Sequence, residues 1–157
     1  MPAQTKSGDA LHLEHFLPYR LSVLANTVST AIAGFYASRH DLTTPEWRVM
    51  AVLARQPGLS AAEVAERTAM DKVAVSRAVA RLLRHRRIRR RQTSADRRRS
   101  RLELSAAGRA VYSDVAPRAL AYERQLLAGL APEQARLLDG LLVSLIDRAR
   151  SLPSGAG

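Results

Sequence analysis

The stretch SAAEVAERTAMDKVAVSRAVARLLRHRRIRRRQTSADRRRSRLEL, residues 60–104, decides the fold. It opens on Ser60-Ala61-Ala62-Glu63, a hydroxyl and a carboxylate three residues apart, just before Val64 and Ala65. This is a capping box, in which each side chain satisfies a backbone N–H at a helix start. The helix is short and ends near Thr68. Asp71 is a second N-cap and opens a helix from Lys72 to about His85. Two helices joined by Thr68-Ala69-Met70 have the length pattern of a helix-turn-helix. After Ile88 the period changes: Leu102 and Leu104 alternate with Arg101 and Glu103, as in a half-buried strand. Residues 88–92 can pair with that strand across a polar loop from Thr93 to Arg99. A short hairpin behind a helix-turn-helix makes a winged helix, with the loop as the wing.

The same stretch holds the charge. Of 157 residues, 25 are Lys or Arg and 14 are Asp or Glu, a formal net charge of +11. Lys6 and Lys72 are the only lysines. Between Arg84 and Arg101 stand ten arginines and one acid, Asp96, so this segment alone carries +9. A solvated surface would intersperse both signs. One-sided charge points to an anionic partner, nucleic acid ahead of an anionic membrane surface. Planar arginine donors suit guanine edges and narrow grooves better than point charges do.

On a helical wheel, Val75, Ala78, Val79, Leu82 and Leu83 form a buried stripe. The opposite side presents Val73, Ser76, Arg77, Ala80 and Arg84, flanked by Lys72 and Arg81. That is the surface a recognition helix needs. Arg77 can donate two hydrogen bonds to guanine in the major groove, and Ser76 can serve base or phosphate. Val73 and Ala74 are small or apolar and allow close approach, with Val73 able to meet a thymine methyl. Lys72 stands at the helix start, where phosphate binds readily. On the wing, Arg97, Arg98 and Arg99 suit the negative potential of a minor groove, and Asp96 can hold a neighbouring arginine in one rotamer.

Outward from this core the pattern is helical on both sides. Leu21, Leu24, Val28, Ile32 and Phe35 recur at spacings of three and four over 18–38. Residues 12–17 form a separate arm or short turn before that helix. Thr44-Pro45-Glu46 starts a helix running to about Arg55, with Val49, Met50 and Leu53 inward and Gln56-Pro57-Gly58 as its stop. Ser105 caps a helix to about Leu127 with Pro117 inside it. Pro132-Glu133 starts a last helix to about Ser151, striped by Leu138, Leu141, Leu142, Leu145 and Ile146.

The expected architecture is therefore mainly α. Residues 1–10 are a frayed end, 11–40 an arm and dimerisation helix, and 41–104 a winged helix-turn-helix DNA-binding domain. Residues 105–152 supply further dimerisation helices and 153–157 a frayed tail. The terminal helices carry more apolar surface than one small winged domain can cover. A twofold dimer uses that surface and sets two recognition helices about 34 Å apart, one DNA turn.

Composition excludes other classes. The chain has no cysteine, so disulfides, thiol chemistry and cysteine-held metals are out. No apolar run approaches the roughly 18 residues of a membrane span. The first ten residues hold no apolar segment of the secretory kind, so a cytoplasmic location is expected. His12, His15, His40 and His85 show no metal-ligand spacing, and no metal or cofactor is expected. No nucleophile–base pair, Gly-rich phosphate loop or paired carboxylates suggest an enzyme.

Residues 42–108 resemble the MarR family of bacterial transcriptional regulators. The matching pieces are LTTPEWRVMAVL (42–53), SAAEVAERTAMDKVAVSRAVARL (60–82) and DRRRSRLELSAAG (96–108). The Asp96/Arg98 pair and the DKVAVSR segment are the specific parts. Where many relatives carry a further Asp and Arg before that pair, this chain has Thr93 and Ala95. The resemblance implies a homodimer with interlocked terminal helices, bound to double-stranded DNA at a palindromic operator, usually as a repressor. It also implies release by a small phenolic or aromatic acid. In the resembled fold His15, Tyr19 and Arg20 meet Trp47 and Arg48, where rings could stack on such an acid and guanidinium could hold its carboxylate. The competing reading is a nucleoid- or RNA-binding architectural protein without effector, using the same arginines without sequence preference.

Overall fold

The structure is a computed structural model that describes residues 11–93 and 96–153, with side chains except at 92–99. The two ends expected to fray, 1–10 and 154–157, lie outside the described residues, whereas Pro153 is described. In chain order a 3-10 turn (Leu13–His15) leads into α1 (Leu17–Ala33), α2 (Ala37–His40), α3 (Thr44–Arg55), α4 (Ala61–Thr68) and α5 (Lys72–Arg84). Strands β1 (Ile88–Thr93) and β2 (Asp96–Leu104) follow, then α6 (Ala106–Leu127) and α7 (Pro132–Ser151). The chain divides into two compact units at Ala116/Pro117, inside α6. Among the described residues, no helix is long and apolar enough to cross a membrane.

Local caps set the helix-turn-helix. Ser60 N–H donates to Glu63 Oε2 at 2.7 Å, and Glu63 N–H donates to Ser60 Oγ at 3.2 Å. This is the capping box legible in the sequence. Asp71 Oδ1 accepts from the Ala74 N–H at 2.8 Å and starts α5. Between the two helices Ala69 adopts a left-handed φ of 51°, which turns the chain within two residues. The α3 start lies one residue earlier than the Thr44 signal: Thr43 is the cap, accepting from the Glu46 N–H. Glu46 Oε2 in return accepts from Thr43 N–H and Thr43 Oγ1, both at 2.8 Å.

The wing is an antiparallel pair with Ile88 opposite Leu104, Arg90 opposite Leu102 and Arg91 opposite Arg101. Gly58, with φ +86°, donates its N–H to Leu102 O, and Leu102 N–H donates to Leu59 O, so Leu59 lies along β2. Here the expectation is corrected. The polar loop is expected over 93–99, whereas β1 runs to Thr93 and β2 begins at Asp96. The register slips between Gln92 and Thr93. Strand pairing is made by backbone, so a polar strand end leaves no apolar alternation to read.

One core forms in the first unit, from Val49, Met50, Leu53, Val64, Val75, Val79, Leu82, Ile88, Leu102, Leu104 and Val115. The expected first helix over 18–38 is also corrected. It stops at Ala33, and Phe35 lies in a turn before the four-residue α2. The break carries Tyr36 into the core, 1% exposed, with its hydroxyl donating to Thr44 Oγ1 at 3.1 Å. At the other end of the core, Ser105 Oγ donates to Arg87 O and accepts from the Gly108 N–H. A Cβ at position 108 would fall 1.9 Å from Arg87 O, so glycine permits this close approach. In contrast, α1 and α7 bury none of their residues.

Candidate nucleic-acid interface

Helix α5 presents two faces. Val75, Ala78, Val79 and Leu82 are buried, and Leu83, expected with them, is half-buried. Lys72, Val73, Ser76, Arg77, Ala80 and Arg84 are exposed, and Ala74 is half-buried. Val73 is 58% exposed, an apolar side chain among cations with no core to join. No hydrogen bond or ion pair holds Lys72, Ser76, Arg77 or Arg84 among the described residues. Their polar atoms are left for solvent or a ligand.

Arg81, expected in the same set, is engaged differently. Its guanidinium makes ion pairs with Asp41 Oδ1 at 2.9 Å and with the buried Glu46 at 3.4 Å, and donates to Asp41 O at 3.3 Å. Sequence spacing placed Arg81 on the flank of the outward face. It could not show two carboxylates arriving, Asp41 from the α2–α3 connection and Glu46 from the first turn of α3.

The wing base adds basic residues that the sequence reading counted as charge but did not place in the site. Arg89 is paired with Glu103 at 2.7 Å, and Arg90 donates to Ser100 Oγ at 3.0 Å. Arg101 donates to Gly58 O and to Glu63 Oε2, both at 3.1 Å. Arg91 is exposed opposite Arg101, a like-charge cross-strand pair in which Glu63 offsets the Arg101 charge. A cavity of about 480 Å³ lies between the start of α4 and the wing, lined by Ser60, Glu63, Arg90, Ser100 and Arg101 among others. The Glu63 carboxyl is held below its usual pKa, first by the Ser60 hydrogen bonds and then by Arg101 and Arg67. The backbone of Asp96, Arg97, Arg98 and Arg99 is the outer part of β2. Their side chains, and the proposed Asp96–arginine bond, lie outside what is described.

The five residues expected around a small acid do not meet in the single chain. Tyr19 and Arg20 line an open cavity of about 470 Å³ with Glu14, Val23, Leu24 and Thr27. His15 is exposed beside it in sequence. Trp47 is instead sandwiched between Tyr36 and Tyr112, with ring centroids 5.6 and 5.7 Å away. Burial raises the Tyr36 pKa, opposed by its bond to Thr44 and by Arg48. Arg48 reaches α1 by donating to Ser29 Oγ at 3.4 Å. Tyr36 and Tyr112 were missed because they come from the turn before α2 and from α6, 11 and 65 positions from Trp47.

A short helix, a tight turn, a second helix with a free basic face and an arginine-rich hairpin define a winged helix-turn-helix protein of the DNA-binding class. The model of the MarR family matches residues 40–99, so this part of the chain is similar to MarR-family regulators. Solved structures extend the likeness beyond it. The MarR/EmrR family transcriptional regulator from Acinetobacter sp. ADP1 superposes with TM-score 0.83 at 24% identity, over 90% of this chain and 100% of that one. The PcaV transcriptional regulator from Streptomyces coelicolor, in complex with its natural ligand, gives 0.76 at 24%, over 89% and 98%. BpsR from Bordetella bronchiseptica, whose DNA binding is regulated by 6-hydroxynicotinic acid, gives 0.77 at 22%, over 88% and 98%. At these identities the likeness is one of fold. No curated protein matches the sequence.

Proposed function

We propose that this chain is a homodimeric, ligand-responsive repressor that binds a palindromic operator and has no catalytic role. The observation that carries the reading is the outward face of α5, where Lys72, Val73, Ser76, Arg77 and Arg84 are exposed above a packed core. Arg77 reads a guanine edge in the major groove, with Ser76, Val73 and Ala74 beside it and Lys72 on phosphate. The wing arginines Arg97, Arg98 and Arg99, with Asp96, enter the minor groove. Dimerisation uses the apolar side chains exposed on α1 and α7, among them Leu24, Leu141, Val143 and Ile146. Two such chains present two α5 helices to successive major-groove faces.

The effector is a small aromatic acid. Arg20 and Tyr19 supply a cation and a ring at an open cavity, with His15, Trp47 and Arg48 joining them in the state that releases DNA. BpsR's regulation by 6-hydroxynicotinic acid supports this class, and the ligand-bound PcaV supports a ligand-responsive fold. Such an acid acts only through a difference in affinity between DNA-competent and DNA-incompetent states.

The test is competition between a duplex from the upstream region of the chain's own gene and a random duplex at about 150 mM salt. A gap of about 10³ or more is expected. Equal affinity would replace the regulator with a non-specific architectural protein. Within the specific complex, Arg77→Ala should weaken binding by about 1–3 kcal/mol and relax preference at one base position. Uniform weakening on every sequence would remove Arg77 from base contact. Thermal-shift screening of phenolic acids tests the effector: stabilisation by one that also releases the duplex is expected.

A further inference from the structure

The chain places one arginine of the recognition helix under a different constraint from its neighbours. Arg81 lies one turn beyond Arg77, and both line a cavity of about 310 Å³ with Thr43, Pro45, Glu46 and Ala74. Arg77 is free at this edge, whereas Arg81 is only about a third exposed and touches two carboxylates. Asp41 closes α2 with a left-handed φ of 49°, a conformation Asp tolerates better than most residues. In that conformation its carbonyl and its carboxylate both face the same guanidinium nitrogen, at 3.3 and 2.9 Å.

Glu46 is the second anchor, and it is 1% exposed. Its Oε2 is used by the Thr43 cap. Its Oε1 is buried without a hydrogen bond, and Arg81 Nε is its ion-pair partner at 3.4 Å. A buried carboxylate oxygen of this kind is costly unless a cation stays beside it. The cost falls on any rotation of α5 that carries Arg81 away. The planar guanidinium fork spans both anchors at once, which a lysine point charge would not do. Two carboxylates against one guanidinium also leave the cluster formally negative, so it supplies no attraction for phosphate.

We infer that Arg81 is a positioning residue: clamped by Asp41 and Glu46, it fixes the rotation of α5 and thereby which bases Ser76 and Arg77 read, without touching DNA itself. This rests on α5 being the recognition helix. The α2–α3 connection becomes part of the specificity apparatus although it presents no base-reading group.

The experiment compares Arg81→Gln, Arg81→Lys, Glu46→Gln, Asp41→Asn and Arg91→Gln with the wild type. Each protein is titrated over a salt series with a duplex selected from a random pool by the wild type, and with an unselected duplex. Arg81→Gln should lose about tenfold on the selected duplex. It should change little on the unselected one and keep the slope of log K against log salt. Arg81→Lys should restore only part of the loss. Arg91→Gln, at an exposed wing arginine, should flatten that slope by about one unit. Glu46→Gln is the decisive arm. It removes a negative charge and frees Arg81, so a DNA-contacting Arg81 would bind both duplexes more tightly; a positioning Arg81 binds the selected duplex less well. Asp41→Asn sits at an exposed position, tolerates the same backbone, and should give a smaller loss of the same kind if Glu46→Gln does not fold. A flattened salt slope for Arg81→Gln, or tighter binding by Glu46→Gln or Asp41→Asn, overturns the inference. A wild type that selects no preferred duplex overturns the regulator reading instead.

Discussion

The winged-helix core and the terminal helices use similar amounts of leucine and valine to opposite effect. Around α5, Val75, Val79 and Leu82 disappear from solvent against α3, α4 and the hairpin. Along α7, Leu137, Leu141, Val143 and Ile146 stay 48–63% exposed, and no residue of that helix is buried. The first region satisfies itself within one chain. The second is amphipathic in sequence and unsatisfied in the single chain, which is how a surface made for a second chain looks from one side. If α1 and α7 pair with a second copy as proposed, stability of the core is a property of the chain and stability of the terminal helices is one of concentration.

The largest expected effect tests that division. Leu142→Glu should weaken the proposed dimer by about 4 kcal/mol or more, because a symmetric interface counts the substitution twice. Sedimentation should show monomers, while the hairpin and α5 keep their packed core; a dimer of undiminished strength would remove α7 from the interface. Leu82→Ala, at a position with no exposure, should cost about 3 kcal/mol in denaturant unfolding. If the loss disappears on dilution, the core is not self-sufficient.

Next in size is Gly108→Ala. The added Cβ meets the Arg87 carbonyl, a backbone atom with no easy way to yield, and about 2 kcal/mol should be lost. An unchanged melting temperature would mean that α6 can shift from Arg87. Ser60→Ala removes the α4 cap and should cost about 1 kcal/mol, read as a lower unfolding midpoint without a change in association.

The smallest effect is in acid. Glu63 has a folded pKa below its ordinary value, so its contribution is complete above the ordinary carboxylate range. It is lost as pH falls through the lowered folded value. Glu63→Gln should thus differ from wild type at neutral pH and converge with it in acid. A difference that persists unchanged to low pH would break the assignment.

What could be read in the sequence was local. The Ser60/Glu63 box, the Asp71 cap and the Pro132 start act within one helical turn, and the structure has them where the residues stand. The stripe of α5 follows from a period of 3.6. What escaped was made by tertiary partners. Tyr36 enters the core because the chain breaks after Ala33, and Trp47 stacks between a ring from that turn and one from α6. Glu46 announced itself as a cap, yet its burial beside Arg81 depends on α5 crossing above it. The start of β2 was invisible because a polar strand paired through its backbone carries no apolar rhythm. Tyr19 and Arg20 could be picked as a cation beside a ring, but not brought to Trp47.

The register of the hairpin has one more consequence. Leu59 lies along the far side of β2, so β1 is the open edge of the sheet. Such an edge invites strand addition by another molecule and, from there, aggregation. Here the edge reads Ile88-Arg89-Arg90-Arg91, and the three arginines are exposed. A second copy approaching edge to edge would set like charges against each other. The arginines proposed to draw the protein to a polyanion would thus also oppose edge-to-edge association, and a charge-stripped wing should precipitate as well as bind weakly.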